Sequence, residues 1–357
     1  MYGKHLAAGV SALRLKLSTR GAVIAVIFFA VLIASLSIGT VQIPPMTVAA
    51  IILSQVPYLG AHFASGFTQV QYEIVVLLRE PQILGAVVIG ASLGVGGAVI
   101  QSIFKNPITE PYVIGISSGA ALGAVLAIAG SIYIFGAYSV GGMAFIFSLL
   151  VVFLVYFVSI RRGKVPMVYL LLMGIAVSLF VSAIVAFLLF SNIRLQGAVF
   201  FWLLGSLQEM TWPKVELIAG INILMIMVSL LYSRELDAFQ MGEEYAASVG
   251  VSVERTKILL ITTITLGVSS CVAVAGLIGF VGLVIPHVSR IIFGGSNRNV
   301  IPASAVLGSV FLLISEDIAH SRLFGGEVIP IGIITSLIGV PFFMFLMVRL
   351  AGGFYES

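Results

Sequence analysis

Apolar runs long enough to cross a bilayer recur along the chain, and they constrain its fold more than any other feature. A transmembrane helix needs roughly 20 consecutive apolar residues. Charged residues make up 9% of this chain, against about 25% of a typical soluble domain. The sequence therefore predicts an all-α, polytopic membrane protein with ten spans, at residues 21–38, 74–104, 113–135, 142–160, 168–190, 215–232, 258–274, 277–292, 300–318 and 329–350.

A single transmembrane domain at residues 21–350 accounts for most of the chain, between an N-terminal segment at 1–20 and a tail at 351–357. The first apolar run could be a signal peptide. It lacks a small-residue cleavage site and many spans follow it, so we expect an uncleaved first helix. Residues 42–72 contain no lysine or arginine and predict a structured exterior loop. Residues 197–205 are apolar but too short to cross, which predicts a half-helix.

Lysine and arginine gather on one side of the predicted spans. If the N-terminus is cytoplasmic, 14 of the 18 basic residues fall in cytoplasmic segments, and the exceptions are Arg79, Arg194, Lys214 and Arg322. An excess of basic residues in cytoplasmic loops usually sets the orientation of a membrane protein. The sequence therefore predicts a multi-pass protein of the cytoplasmic (inner) membrane with a cytoplasmic N-terminus. Because the basic residues are spread over several loops, we expect no nucleic-acid partner.

Glycine is abundant, with 38 residues, and part of it follows helical spacing. Small residues at such spacing let helix backbones approach closely inside a membrane. Tight packing alone explains most of these glycines. Two glycine-rich regions, one in each half and each followed by proline and a basic residue, also suggest a weak internal repeat around a central path. The predicted packing glycines are Gly90, Gly94, Gly115, Gly119, Gly123, Gly276, Gly279 and Gly282.

Residues 233–257 form the most polar stretch of the chain, with eight charged residues among 25. They lie between two apolar runs, on the side predicted to be cytoplasmic. Within them, residues 242–250 predict a short helix, because two glutamates suit its N-terminal dipole and a glycine suits a left-handed end. We expect Tyr245, Ala246 and Val249 on one face. Such a helix either lies on its own protein or the lipid surface, or docks a soluble partner.

Chemical groups for an enzyme or an ion-driven carrier are scarce. The predicted span interiors hold almost no ionisable residues, and Glu316, Asp317 and His320 fall toward the exterior end of a span. The Gly-Lys pair Gly163-Lys164 lacks the rest of a phosphate-binding loop, and no metal-ligand spacing of cysteine and histidine occurs. We therefore expect no cofactor in this chain. By elimination, a multi-span protein of this kind would need energy from elsewhere, and a docked ATPase is one source.

Several long motifs make the sequence similar to a known family. They are GASLGVGGAVIQSIFKNPITEPYVIGISSGAALGA, LLLMGIAVS, FFWLLGSL, GEEYAASVGV, AGLIGFVGLVIPHVSR and IPIGIITSLIGVPFF, which are spread between residues 74 and 350. On these motifs the chain resembles the FecCD-type permeases of ATP-binding-cassette (ABC) importers. That family includes the vitamin B12, haem, ferric-siderophore and some molybdate permeases.

The resemblance implies a type II importer permease, all-helical with ten spans, that works as a homodimer with the substrate path on its two-fold axis. It also implies two copies of a separate ATP-binding subunit, which hold ATP and magnesium on the cytoplasmic side. An extracytoplasmic binding protein would deliver the substrate. The implied substrate is a metal chelate such as a ferric siderophore, haem or cobalamin.

The resemblance implies roles for three groups of residues. The segment that couples to the ATPase corresponds to Gly242, Glu243, Glu244, Tyr245, Ala246, Ser248, Val249, Gly250 and Val251. The cytoplasmic gate corresponds to Asn106, Pro107, Ile108, Val165, Pro166, Met167 and Val168. Docking of the binding protein corresponds to Arg79 and Arg322, whose planar guanidinium groups can each hold a carboxylate by two hydrogen bonds. The alternative for each arginine is a headgroup contact or a local pair.

Two functions from different classes stay open at this point. The first is the importer subunit, which predicts no transport by this chain alone. The second is an autonomous secondary carrier or channel for a small solute. An enzyme acting within the membrane ranks third, because the sequence offers no nucleophile, acid–base pair or metal cluster.

Overall fold

A computed structural model describes residues 2–39, 41–56, 66–321 and 327–355, which form helices and no strands. In chain order the helices are α1 (Tyr2–Ser37), α2 (Pro45–Ser54), α3 (Gln69–Phe104), α4 (Ile116–Ala129), α5 (Ser139–Val158), α6 (Met167–Ser191), α7 (Gln196–Leu203), α8 (Trp212–Leu231), α9 (Ser233–Met241), α10 (Glu243–Ser248), α11 (Val253–Ala275), α12 (Val281–Phe293), α13 (Asn297–Ala319) and α14 (Ile331–Tyr355). Short 3₁₀ turns lie between some of them. One π-helical stretch, Ile74–Arg79, lies inside α3.

The predicted all-helical, polytopic class is confirmed. Within the described residues, seven helices are long and apolar enough to cross a membrane, namely α1, α3, α5, α6, α8, α11 and α13. The other three predicted spans correspond to the shorter apolar helices α4, α12 and α14. The predicted half-helix is observed as α7, which is apolar but only eight residues long.

The predicted span at 277–292 is wrong at its start, because the chain is not helical between α11 and α12. Gly276 and Phe280 both have positive φ, 71° and 68°, which ends one helix and precedes the next. The backbone groups freed by this break find partners in the protein. Ser206 N–H donates to the Ala275 carbonyl at 2.8 Å, and Tyr112 Oη donates to the Ile278 carbonyl at 3.0 Å. A helix break inside a membrane requires such internal partners.

The central helix is α3, which packs against α8, α11, α12 and α13. Glycines on α3 bring its backbone into direct contact with its neighbours. A Cβ atom on Gly90 would overlap the carbonyl of Gly308, and one on Gly94 would overlap the carbonyl of Ser304. The glycine spacing on α3 therefore sets its distance from α13, because small residues substitute for a hydrophobic driving force between helices in lipid.

The other predicted packing glycines differ in role. Gly119 and Gly123 press α4 against backbone carbonyls of α5. Gly115 precedes α4 with φ of 102°, so it serves a turn rather than a helix face. Gly276 and Gly282 also have backbone or proline atoms close by. The packing prediction is wrong for Gly279, because nothing lies within 4 Å of a Cβ atom built there.

Candidate coupling site

Two glycines shape the polar segment between α8 and α11. Gly242 separates α9 from α10 with φ of 134° and ψ of 150°, a backbone region that is essentially restricted to glycine. Gly250 ends α10 with φ of 88°. Val251 N–H then donates to the Ala246 carbonyl at 3.0 Å and closes the helix end. The helix predicted at 242–250 is therefore observed as Glu243–Ser248.

The outer surface of α10 carries exposed apolar groups. Tyr245 is 49% exposed and Val249 is 55% exposed, whereas Ala246 is fully buried against the core of the bundle. The prediction that the three residues share one face is wrong for Ala246. Successive helical positions are about 100° apart, so Ala246 turns inward while Tyr245 and Val249, four positions apart, stay outside.

The carboxylate of Asp237 fixes α9 to the start of α13. It accepts hydrogen bonds from the backbone N–H and the side-chain amide of Asn297, at 2.7 and 2.9 Å, and from the Ser296 hydroxyl at 2.9 Å. The first N–H groups of a helix lack helical partners, so this carboxylate satisfies the end of α13. Gln240 Nε2 also donates to Ser102 Oγ of α3 at 3.1 Å. Helix α9 is thus attached to two helices of the core.

Arg290 of α12 connects the same end of the bundle. Its guanidinium group donates to Gln101 Oε1 and, at 3.3 Å, to the carbonyl of Ala98, both on α3. Gln101 Nε2 in turn donates to the carbonyls of Gly282 and Leu283 on α12, at 3.2 Å each. These paired groups hold α3 and α12 together where α9 attaches.

Helix α10 rests on a buried ammonium group. Lys257 Nζ has a side-chain exposure of 1% and contacts Glu243 Oε2 at 2.8 Å, Glu254 Oε1 at 3.0 Å and the Val165 carbonyl at 2.9 Å. Glu254 Oε2 also accepts the backbone N–H of Val165 at 3.1 Å. We refer to these four residues as the Lys257 cluster. A buried charge requires partners of this kind.

Val165 connects a tight turn to α6. Residues 161–164 form the turn, closed by two backbone hydrogen bonds, and Arg162 and Gly163 at its centre have φ of 51° and 75°. Two consecutive positive φ values are typical of a type I′ turn. Val165 is buried, and Pro166 precedes α6 in an extended conformation. Of the predicted gate segment at 165–168, the first residue is therefore buried and Val168 is exposed.

The other predicted gate segment, residues 106–108, follows α3 as a small turn. Asn106 Oδ1 accepts the backbone N–H of Ile108 at 3.1 Å, and Thr109 Oγ1 donates to the Asn106 carbonyl at 2.7 Å. Asparagine favours such turns because its side chain can bond the backbone two residues on. Pro107 and Ile108 are exposed. The gate role of both segments stays a prediction.

The 3₁₀ turn that follows, Pro111–Ile114, reaches the break between α11 and α12. Tyr112 Oη donates to the Ile278 carbonyl, as described above, and the Glu110 carboxylate accepts a hydrogen bond from the backbone N–H of Phe280. Burial raises the pKa of Glu110, and this hydrogen bond acts in the opposite direction. The residues beside the first gate segment are therefore connected to the non-helical stretch in the second half of the chain.

At the opposite end of the bundle, Arg79 is held by the chain itself. Its guanidinium group is 6% exposed and donates to the backbone carbonyls of Leu36, at 2.9 Å, and Val41. Glu80 does not pair with it but accepts a hydrogen bond from Gln55 Nε2 at 2.6 Å. Binding-protein docking by Arg79 stays a prediction, and it would require the guanidinium group to leave these carbonyls. Arg322 lies outside the described residues.

The acidic residues at the end of α13 have partners within the chain. Asp317 accepts a hydrogen bond from Ser35 Oγ of α1 at 2.7 Å, and His320 Nδ1 lies 3.2 Å from Glu316 Oε1. Among the residues that the structure describes, no group of three or more His, Cys, Asp or Glu side chains is arranged to hold a metal ion. The contact between Ser35 and Asp317 ties α1 to α13.

Sequence reasoning misses Asp237, Lys257 and Arg290 as parts of this site. The spacing of Glu254 and Lys257 at i and i+3 is a visible signal for a local ion pair on one helix face. It gives no indication that Val165, 92 positions away, completes the contact. Asp237 carries no signal beyond its place in the polar stretch.

Comparison with known proteins identifies the family of the chain. The model of the FecCD transport family matches residues 26–349. The chain is 38% identical over 283 residues to the cobalamin import system permease protein BtuC of Halobacterium salinarum, covering 79% of this chain and 75% of that protein. It is 31% identical over 339 residues to the iron(3+)-hydroxamate import system permease protein FhuG of Bacillus subtilis, covering 91% and 94%.

A solved structure shares the fold. It is a metal-chelate type ABC transporter in an inward-facing conformation, and it aligns with a TM-score of 0.77 and 28% identity over 91% of this chain and 97% of that chain. The family match covers most of the sequence, and the relatives align along most of their own length. The chain therefore belongs to the FecCD transport family and is a multi-pass permease subunit of an ABC importer.

Proposed function

We propose that this permease draws its energy from a separate ATP-binding subunit that docks on α10. The observation that carries the proposal is the exposed pair Tyr245 and Val249, on a short helix seated over buried polar contacts. Exposed apolar side chains amid charged residues favour a protein partner. Two copies of the partner, each holding ATP and magnesium, would act on two copies of α10.

A second copy of this chain is the next partner we propose. Only 22% of the apolar window of α6 is buried within one chain, and Leu179, Phe180 and Phe187 are more than two-thirds exposed. Apolar faces of this size pack against lipid or against other transmembrane helices. A homodimer with the substrate path between its copies, surrounded by membrane lipid, accounts for them.

We propose a cytoplasmic location for α10 and for the gate segments at 106–108 and 165–168. The bias of lysine and arginine toward this end of the bundle supports that orientation, in which the N-terminus is cytoplasmic and the protein lies in the cytoplasmic membrane. The opposite end, with α2 and Arg79, would then face the extracytoplasmic binding protein. Arg322, in the exterior loop predicted before α14, is proposed as its second contact.

The proposed substrate is a metal chelate. The import systems of the relatives carry cobalamin and iron(3+)-hydroxamate in their names, and the structural neighbour is a metal-chelate type transporter. Cobalamin, haem and a ferric hydroxamate form the panel that we propose to test. All three are bulky ligands, which suits a path lined by small and apolar side chains.

The test is uptake into proteoliposomes that contain this chain with the ATP-binding subunits that co-purify with it. Each labelled chelate is offered on the outside with its binding protein, and ATP or ADP is enclosed on the inside. We expect uptake of one chelate with ATP and none with ADP. Uptake by the chain alone, driven by a proton or sodium gradient, would instead establish an autonomous carrier.

A further inference from the structure

The Lys257 cluster joins three segments of the chain, namely α10, the start of α11 and the residue that precedes α6. Glu243 belongs to α10, Glu254 and Lys257 lie near the start of α11, and Val165 precedes α6. The ammonium group of Lys257 binds all three segments at 2.8–3.0 Å. The Lys257 side chain is 1% exposed, whereas the side chains of Glu243 and Glu254 are 39% and 32% exposed, so the ammonium group is shielded from water while its carboxylate partners reach the surface.

Helix α10 differs from α9 in its attachments. Asp237 and Gln240 hold α9 against α13 and α3. Gly242 follows with a backbone conformation that turns the chain between the two helices. Within the described residues, the side-chain hydrogen bond that links α10 to another segment runs from Lys257 to Glu243. Helix α10 also packs directly on the core through the buried Ala246, so the cluster is its polar attachment beside this apolar contact.

Val165 gives the cluster a connection to α6. Its carbonyl accepts from Lys257, and its N–H donates to Glu254, so both of its backbone polar groups are engaged. Pro166 follows with its φ fixed by the ring and leads directly into α6. The link between cluster and helix is thus one residue long. Helix α6 is weakly buried, whereas 83% of the apolar window of α3 is buried.

We infer that Lys257 is a positioning residue that transmits displacement of α10 to Val165 and to the start of α6. The inference rests on the proposed function, because it requires an ATPase that acts on α10. A buried ammonium group cannot give up one carboxylate or carbonyl without a large desolvation penalty. The cluster therefore moves as one body, and α6 follows α10.

The decisive variant is Lys257→Met, which keeps most of the apolar stem and removes the charge. Lys257→Arg keeps a buried cation, and Arg255→Met removes an exposed cation from the same turn of α11. Each is purified with its ATP-binding subunits and reconstituted with the chelate that the wild type imports from the panel of cobalamin, haem and ferric hydroxamate. The quantity measured is chelate imported per ATP hydrolysed.

We expect Lys257→Met to hydrolyse ATP while its import per ATP falls about fivefold or more, the lower range of a coupling between two sites. Lys257→Arg should retain most of the wild-type import per ATP hydrolysed, and Arg255→Met should have the same import per ATP as wild type. A merely structural role would lower the amount of active complex without changing this ratio. An unchanged ratio in Lys257→Met overturns the inference.

A second variant covers the case in which Lys257→Met fails to assemble. Glu243→Gln removes the carboxylate charge that α10 presents to Lys257 but leaves Lys257 paired with Glu254 and with the Val165 carbonyl. It should also lower import per ATP, and a wild-type ratio here would count against transmission through the cluster. If the wild-type complex itself shows no ATP-dependent import, the proposed function fails instead, and the two failures are thereby distinguished.

Discussion

Replacing Gly90 with alanine is a direct test of whether backbone contact fixes α3 against α13. Gly90 lies on the buried face of α3, and a Cβ atom there would overlap the carbonyl of Gly308 on α13. A backbone carbonyl cannot rotate away as a flexible side chain can. The helices must therefore separate locally, which also loosens the neighbouring contact between Gly94 and Ser304.

The magnitude follows from two opposing effects. Overfilling a tightly packed site costs about 1–3 kcal/mol, and a fixed backbone atom makes the upper part of that range appropriate. Alanine offsets part of this, because it favours a helix interior over glycine by about 1 kcal/mol. We expect a net loss of about 2 kcal/mol in the free energy of unfolding. For a chain larger than 250 residues, this lowers Tm by about 4 °C.

The assay is thermal unfolding of purified protein in detergent, with Gly220→Ala as the matched control. Gly220 lies inside α8, and nothing lies within 4 Å of a Cβ atom built on it. Its replacement should leave Tm unchanged or slightly raised, since only the gain in helix propensity applies. A Tm for Gly90→Ala equal to that of Gly220→Ala would refute close backbone packing at this position.

The double mutant adds an internal check. A Cβ atom on Gly308 would overlap the carbonyl of Gly90, so Gly308→Ala should destabilise in the same way. One local separation relieves both overlaps, and the double mutant should therefore lose less stability than the sum of the single mutants. Strict additivity would mean that the two glycines act at independent contacts.

The remaining predictions address the other sites. Tyr245→Asp combined with Val249→Asp should weaken the association of the ATP-binding subunit about tenfold or more. The Tm should not change, because both side chains are exposed. Pull-down of the ATP-binding subunit and thermal unfolding curves measure the two effects. Gly119→Leu should lower yield and Tm, since its side chain meets the α5 backbone; wild-type values would place that face against open space. Arg79→Met should lower the free energy of unfolding by about 1–3 kcal/mol, because it leaves the Leu36 and Val41 carbonyls unpaired. Arg322→Glu should weaken the affinity for the binding protein and leave the free energy of unfolding unchanged.

The length and spacing of apolar runs were enough to predict the fold class and the order of the helices. A bilayer admits few solutions for such a chain, because each backbone polar group must find a partner inside it. The short helix α10 was also predictable, because its limits are set by Gly242 and Gly250 and those glycines are visible in the sequence. Residues that are close together in the sequence determine the apolar spans and the limits of α10.

Features decided by distant contacts were not predictable. The sequence separates the spans at 258–274 and 277–292, but it does not predict that the break extends to Val281, because the hydrogen-bond partners of the freed backbone, Ser206 and Tyr112, come from other parts of the chain. The inward direction of Ala246 depends on the core beneath α10. The burial of Lys257 depends on Val165. The periodicity of apolar residues predicts which residues share a face of one helix, but it does not predict which part of the protein packs against that face.

The distribution of close contacts divides the bundle into a fixed part and a part that can move. On α3, Gly90 and Gly94 each meet a backbone carbonyl, so a shift of α3 by one residue would drive a bulkier side chain into it. On α6 the buried positions are Leu170, Gly174, Val181 and Val185, which form a single narrow stripe at helical spacing. Within this stripe Gly174 meets a backbone carbonyl, that of Val113, so any tilt of α6 would have to take place about this line of contact. Val165 of the Lys257 cluster lies just before that stripe begins, so under the proposed coupling a displacement of α10 would act on this end of α6.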